Sequence, residues 1–229
     1  MEDHQIDKMY SENNSETVNI DMDTNSIYFN AGINPKTMSN LIDKLLKLEK
    51  KILNKKKSLK RKFKKIKKDD NKSDKDDKDS DSENSISEQF DIKIEAKPIR
   101  LYITSNGGYV YQVFSAIDTI LNLKVPVHTI CKGFVASAGT LLSIAGEKRF
   151  ITENSYMLIH ELRAGSWGKF THLSESFENS KQLMEHIKNY YIKRTKLTAE
   201  ELEVQLKKDL SWNAEMCLEK GLVDEIIKF

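Results

Sequence analysis

Between Ile99 and Ala145 the chain twice follows the same order: a short strand-like run, a tight turn and an apolar helical pattern. No other feature restricts the fold as much. In the first pass Ile99 to Thr104 is rich in β-branched and aromatic residues, Ser105-Asn106-Gly107-Gly108 turns the chain, and Val110, Val113, Phe114, Ile117, Ile120 and Leu121 recur at helical spacing. In the second, Val125 to Cys131 reads as strand, Lys132-Gly133-Phe134-Val135-Ala136 as turn, and Ser137 to Ala145 as helix. Strands separated by helices at this distance pair in parallel, so the expected class is α/β with a layered core. The flanks extend the pattern. Ser26 to Phe29 is a short strand ended by Ala31-Gly32, and Met38, Leu41, Ile42, Leu45 and Leu48 mark an amphipathic helix. Phe150 to Ile151 and Tyr156 to His160 are two more short strands, and Leu173, Phe177, Met184, Ile187 and Tyr191 outline a long helix. A last helix runs from an Asn213 cap to Lys220 and stops at Gly221, before a strand over Leu222 to Ile227.

Composition shows what interrupts this domain. Apolar residues are 38% and charged residues 31%, polar for a chain that builds one core. Lys50 to Lys68 holds twelve Lys or Arg and no acid, and Asp69 to Asp91 holds ten Asp or Glu against three Lys. Neither half can fold alone. The sequence therefore divides into a flexible arm over 1–25 and one domain over 26–229, broken by a charged insert at about 50–96. The basic half can prolong the preceding helix as a rod, because Lys is a good helix former. Removing the insert's net +5 from the formal +2 leaves about −3 for the rest, so the basic balance does not imply nucleic acid as a partner. Cys131 and Cys217 form neither a disulfide framework nor a metal pair and read as reduced core thiols. The N-terminus has no signal or transit pattern, and no run of about 18 apolar residues occurs, which places the expected protein soluble in a reducing compartment, the cytoplasm, without membrane contact.

Three places can carry chemistry. Gly133-Phe134-Val135-Ala136-Ser137-Ala138-Gly139 sets a serine where a strand becomes a helix, among residues too small to shield its hydroxyl. The helix start favours a developing oxyanion, and the Ala138 amide is free to donate to it. A plain N-cap serine is the competing reading. Gly107 and Gly108 can let backbone amides approach a carbonyl, and an ordinary turn is the alternative there; neither P-loop nor dinucleotide spacing is present. His160 ends an apolar run. Of the five histidines it is the best general base, the others lying in the tail, in a strand (His128) or on the long helix (His172, His186), and without a partner serine it would be a core histidine. No clustered ligand set for a metal is evident and no cofactor is expected.

Taken together these residues resemble the ClpP family of ATP-dependent caseinolytic serine peptidases. The matching features are Leu101-Tyr102-Ile103-Thr104-Ser105-Asn106-Gly107-Gly108, the Gly133-to-Gly139 turn, Met157-Leu158-Ile159-His160 and Gly221-Leu222-Val223-Asp224. The resemblance implies Ser137 as nucleophile and His160 as base. Counting back from Gly221 at the family's fixed distance, it implies Asp209 as the third member. One of the Gly107 and Gly108 amides, with that of Ala138, would form the oxyanion hole. It also implies a spiral of repeated ββα units shared with crotonases, a handle helix around 173–195, and a substrate-binding strand over Gly165-Ser166-Trp167-Gly168-Lys169. The implied partners are other copies of the chain, in two stacked rings of seven, an AAA+ unfoldase and unfolded polypeptide. Asn106 stands where the family usually has proline. Three other readings stay open on the sequence: a non-catalytic ring subunit, an acyl-CoA enzyme of the crotonase type, and a serine-lysine signal-peptide peptidase.

Overall fold

The computed structural model describes residues 16–73 and 96–228, and in it the two strand-turn-helix units form the middle of one mixed, mostly parallel sheet. Eight strands occur among the described residues: β1 (Thr17–Asp21), β2 (Ser26–Asn30), β3 (Ile99–Ser105), β4 (Val127–Ala136), β5 (Lys148–Thr152), β6 (Tyr156–Leu158), β7 (Ser211–Trp212) and β8 (Glu225–Ile227). Six helices accompany them: α1 (Pro35–Ser73), α2 (Val110–Asn122), α3 (Ala138–Ser143), α4 (Phe170–Arg194), α5 (Ala199–Leu206) and α6 (Ala214–Glu219). The sheet runs β1-β2-β3-β4-β5-β8, with β6 on β4 and β7 on β6. Only the β1–β2 and β6–β7 pairs are antiparallel. This is the α/β class read from the sequence.

Burial explains why these segments form. Along β3, Ile99, Leu101, Ile103 and Ser105 are buried and the residues between them less so. Met38, Leu41, Leu45, Leu48 and Ile52 bury one stripe of α1, and Val113, Ala116, Ile117 and Ile120 one stripe of α2. Each large apolar side chain so removed from water contributes roughly 1.5–3 kcal/mol. Ile52 is the last buried residue among the described side chains of α1, yet the helix continues to Ser73 through the Lys-rich half of the insert, as its helix propensity allows. The acidic half falls mainly on residues 74–95, outside the described residues.

Four details differ from expectation. Thr17–Asp21, assigned to the arm, forms β1 against β2, because Val18 is buried and the Asp21 carboxylate closes the turn on the amides of Asp23 and Thr24 at 2.9 and 3.2 Å. Lys132–Ala136, read as a turn, belongs to β4. Gly133, at φ 71°, lies between its two halves: His128–Cys131 pair with β5, and Phe134–Ala136 pair with β6. The sequence reading omits α5, although Thr198 and Glu201 form a capping box at its start. Last, Gly165–Lys169 is exposed and irregular, not a strand. The Asn213 cap and the Gly221 stop are as expected, with Asn213 Oδ1 accepting from Met216 N at 3.0 Å and Gly221 at φ 70°.

Candidate active site

The second half of β4 sets the site. Ala136 is its last residue and Ala138 begins α3, leaving Ser137 to turn the chain at φ 55° and ψ −129°. A non-glycine residue in this region is held at a cost of roughly 1–3 kcal/mol, and such strain recurs where a nucleophile is presented at a strand-helix elbow. The backbone is pinned on both sides. Ser137 N–H donates to Leu158 O at 2.9 Å, extending the β4–β6 ladder, and Ser137 O accepts from Thr140 N at 2.9 Å and Thr140 Oγ1 at 2.6 Å. The Thr140 proton is thereby used, so the buried Tyr191 hydroxyl must donate to Thr140 Oγ1. The Ser137 side chain makes no capping bond to α3, so the hydroxyl is not acting as an N-cap.

Ladder geometry also delivers the histidine. With Ser137 bonded to Leu158, His160 lies two residues further along the same edge, and Ser137, Ala138 and His160 line one cleft with Asn106, Gly108, Leu141, Arg163 and Tyr191. The antiparallel register of β6 and β7 pairs Met157 with Trp212 and Leu158 with Ser211. Continued by two residues, it sets Asp209 opposite His160. Asp209 Oδ1 faces His160 Nδ1 at 3.9 Å, longer than a hydrogen bond, and Arg163 Nη2 donates to Asp209 Oδ2 at 3.0 Å. The imidazole is only 12% exposed. Burial, and then the Arg163 charge, hold its pKa below the usual histidine value, against upward pulls from Asp209 and Glu161.

The glycine turn lies against the elbow. A Cβ on Gly107 would come 2.6 Å from Ser137 Cβ and 3.0 Å from Ala138 N, so only glycine allows this approach. Ile33 staples the turn, donating to Gly107 O at 2.7 Å and accepting from Tyr109 N at 2.9 Å. Gly107 N–H is committed to Ser105 Oγ at 3.1 Å, whereas Gly108 lines the cleft. Of the two expected amide donors, Gly108 is therefore the one left for a ligand beside the first amide of α3. Gly165, Ser166 and Trp167 do not line this cleft, and Trp167 is 96% exposed. Thr140, Tyr191 and Arg163 are contributors that the sequence reading misses. Among the described residues no group of three or more His, Cys, Asp or Glu is placed to hold a metal ion, and no helix is long and apolar enough to cross a membrane.

The comparisons with known proteins make the chain a peptidase of the Clp type. The family model described as Clp protease matches residues 74–229, and the chain belongs to that family. Among known proteins it is 34% identical over 149 residues to the ATP-dependent Clp protease proteolytic subunit of Deinococcus radiodurans, an alignment covering 63% of this chain and 73% of that relative. Its chemistry is accordingly proteolysis, the hydrolysis of peptide bonds.

Proposed function

We propose that the chain is the proteolytic subunit of a Clp-type serine endopeptidase, with Ser137, His160 and Asp209 as its triad. The observation that carries the reading is the elbow: a serine held at positive φ, its hydroxyl free of capping, in one cleft with a largely buried imidazole whose far nitrogen faces a carboxylate. Because Nδ1 faces Asp209, Nε2 is the nitrogen that accepts the serine proton. Ser137 Oγ attacks the peptide carbonyl, and the oxyanion is met by the amides of Gly108 and Ala138. His160 then returns the proton to the leaving amine, and water hydrolyses the acyl-enzyme by the same steps. The cleft, about 240 Å³, lies below the range typical of drug-sized ligands and suits a peptide bond better than a cofactor as large as coenzyme A.

Exposed apolar surface supports assembly. Trp167, Phe170 and Phe177 stand exposed along the first half of α4 and the loop before it, a patch that a second subunit would cover. The proposed assembly is a double ring of seven subunits each in the cytoplasm, fed with unfolded polypeptide by an AAA+ partner; the ATP-dependent naming of the relative supports the last of these. Without that partner the assembly cuts only short peptides. The deciding experiment is turnover of a fluorogenic peptide beside Ser137→Ala, with native mass measured on the same samples. Loss of roughly 10⁴-fold in the variant at unchanged mass is expected; undiminished turnover refutes the assignment.

A further inference from the structure

Arg163 stands between two concavities, lining both the Ser137 cleft and the neighbouring groove formed with Tyr109, Val110 and Leu183. Its contact with Asp209 has a definite geometry. The guanidinium takes Oδ2 at 3.0 Å, and the other oxygen, Oδ1, is the one facing His160 Nδ1 at 3.9 Å. The two partners therefore use different oxygens and do not compete for one lone pair. Asp209 needs such a restraint, because its side chain is 62% exposed and it sits in the irregular stretch between α5 and β7. Among the described residues its carboxylate makes no other hydrogen bond. An exposed carboxylate with two free torsions seldom points one oxygen at a given atom, and a charge-assisted bond on Oδ2 removes that freedom.

We propose that Arg163 is a positioning residue for peptide hydrolysis, clamping Asp209 through Oδ2 so that Oδ1 is presented to Nδ1 of His160. The inference rests on the triad reading above. It gives this chain an external support for a carboxylate that the fold leaves in solvent. Arg163 also acts directly on the imidazole, whose charged neighbours are Arg163, Asp209 and Glu161, with the neutral Tyr191 and Ser137 across the cleft.

Initial rates of short-peptide cleavage by the assembled full-length enzyme test it, with melting temperature and native mass as controls for folding. Arg163→Ala should lower kcat roughly ten- to a hundredfold, since about 1 Å of misplacement has that effect. KM should stay within about twofold, because the group does not hold substrate. Arg163→Lys should recover part of the loss, its point charge reaching Oδ2 without the planar fork. The acid limb of kcat/KM should move to higher pH in Arg163→Ala, because a charge opposing imidazolium is gone. In an Asp209→Ala background the Arg163→Ala change should lower kcat at the pH optimum no further, while its direct effect on the acid limb persists. An unchanged or raised kcat in Arg163→Ala, or an equal loss in both backgrounds, overturns the clamp. Wild-type rates in Asp209→Ala alone would instead remove the triad, so the two failures are distinguishable.

Discussion

Replacing Gly107 by alanine should cripple turnover without changing the chemistry of any reacting group. Two costs are separable. The first is backbone: Gly107 sits at φ 91°, where an L side chain is strained by roughly 1–2 kcal/mol. The second is contact: the new Cβ would lie 2.6 Å from Ser137 Cβ and 2.8 Å from Ala136 O. Carbon atoms in contact rest at about 3.5–4.0 Å, so the elbow or the turn must retreat by about 1 Å. A displacement of that size at the nucleophile corresponds to a loss of roughly 10²-fold in turnover. Gly133→Ala supplies the control, because Gly133 is at φ 71° and an added methyl there would meet nothing within 4 Å. It incurs the strain alone, a fall of roughly 2–8 °C in Tm, and should keep near-normal activity. Peptide turnover and thermal melts of the two variants side by side decide the matter. Equal, minor losses of activity would show that the β3–α2 turn does not buttress Ser137.

Tyr191→Phe removes the donor to Thr140 Oγ1, which itself holds Ser137 O, and should cost about 1 kcal/mol and a few degrees of Tm. Tyr190→Phe should leave Tm unchanged or raise it, since the buried Tyr190 hydroxyl has no partner among the described residues; a drop equal to that of Tyr191→Phe refutes the contrast. Asn213→Ala, which deletes the cap on Met216 N, should cost about 1 kcal/mol in a denaturant melt and spare kcat. The proposed mechanism needs His160 neutral, and its pKa is depressed below the ordinary histidine value of about 6.5, so activity should persist as pH falls to that value and fade only below it. An acid limb centred above about 7 in the pH–rate profile would contradict this.

Much of the site is legible in the sequence because it is built on regular ladders. Ser137 and His160 are placed by the β4–β6 pairing; His160 ends an apolar run that announces a strand, and Ser137 follows a small-residue turn between a strand and a helix. Asp209 is reached from the sequence only through the family resemblance, by the distance from Gly221 that the resemblance implies. Its physical warrant, the β6–β7 register, involves a two-residue strand too short to show periodicity. The capping box at Thr198 and Glu201 is readable, and α5 could have been inferred from it. Arg163 carries no such mark. One arginine in an irregular exposed loop looks like any solvated charge until the fold brings Asp209, 46 positions away, against it. The continuation of β4 past Gly133 is hidden for a related reason, since a glycine followed by small residues reads as punctuation, and only the partner strand β6 turns it into ladder.

The β6–β7 pair also orders events during synthesis. In the proposed triad, nucleophile and base have both been made once position 160 is reached, but the strand that sets the carboxylate opposite them, Ser211–Trp212, follows some fifty residues later, after α4 and α5. A nascent subunit that has not reached that point can display its serine and still lack a completed relay, so translation itself would keep the peptidase quiet until β7 has emerged and paired.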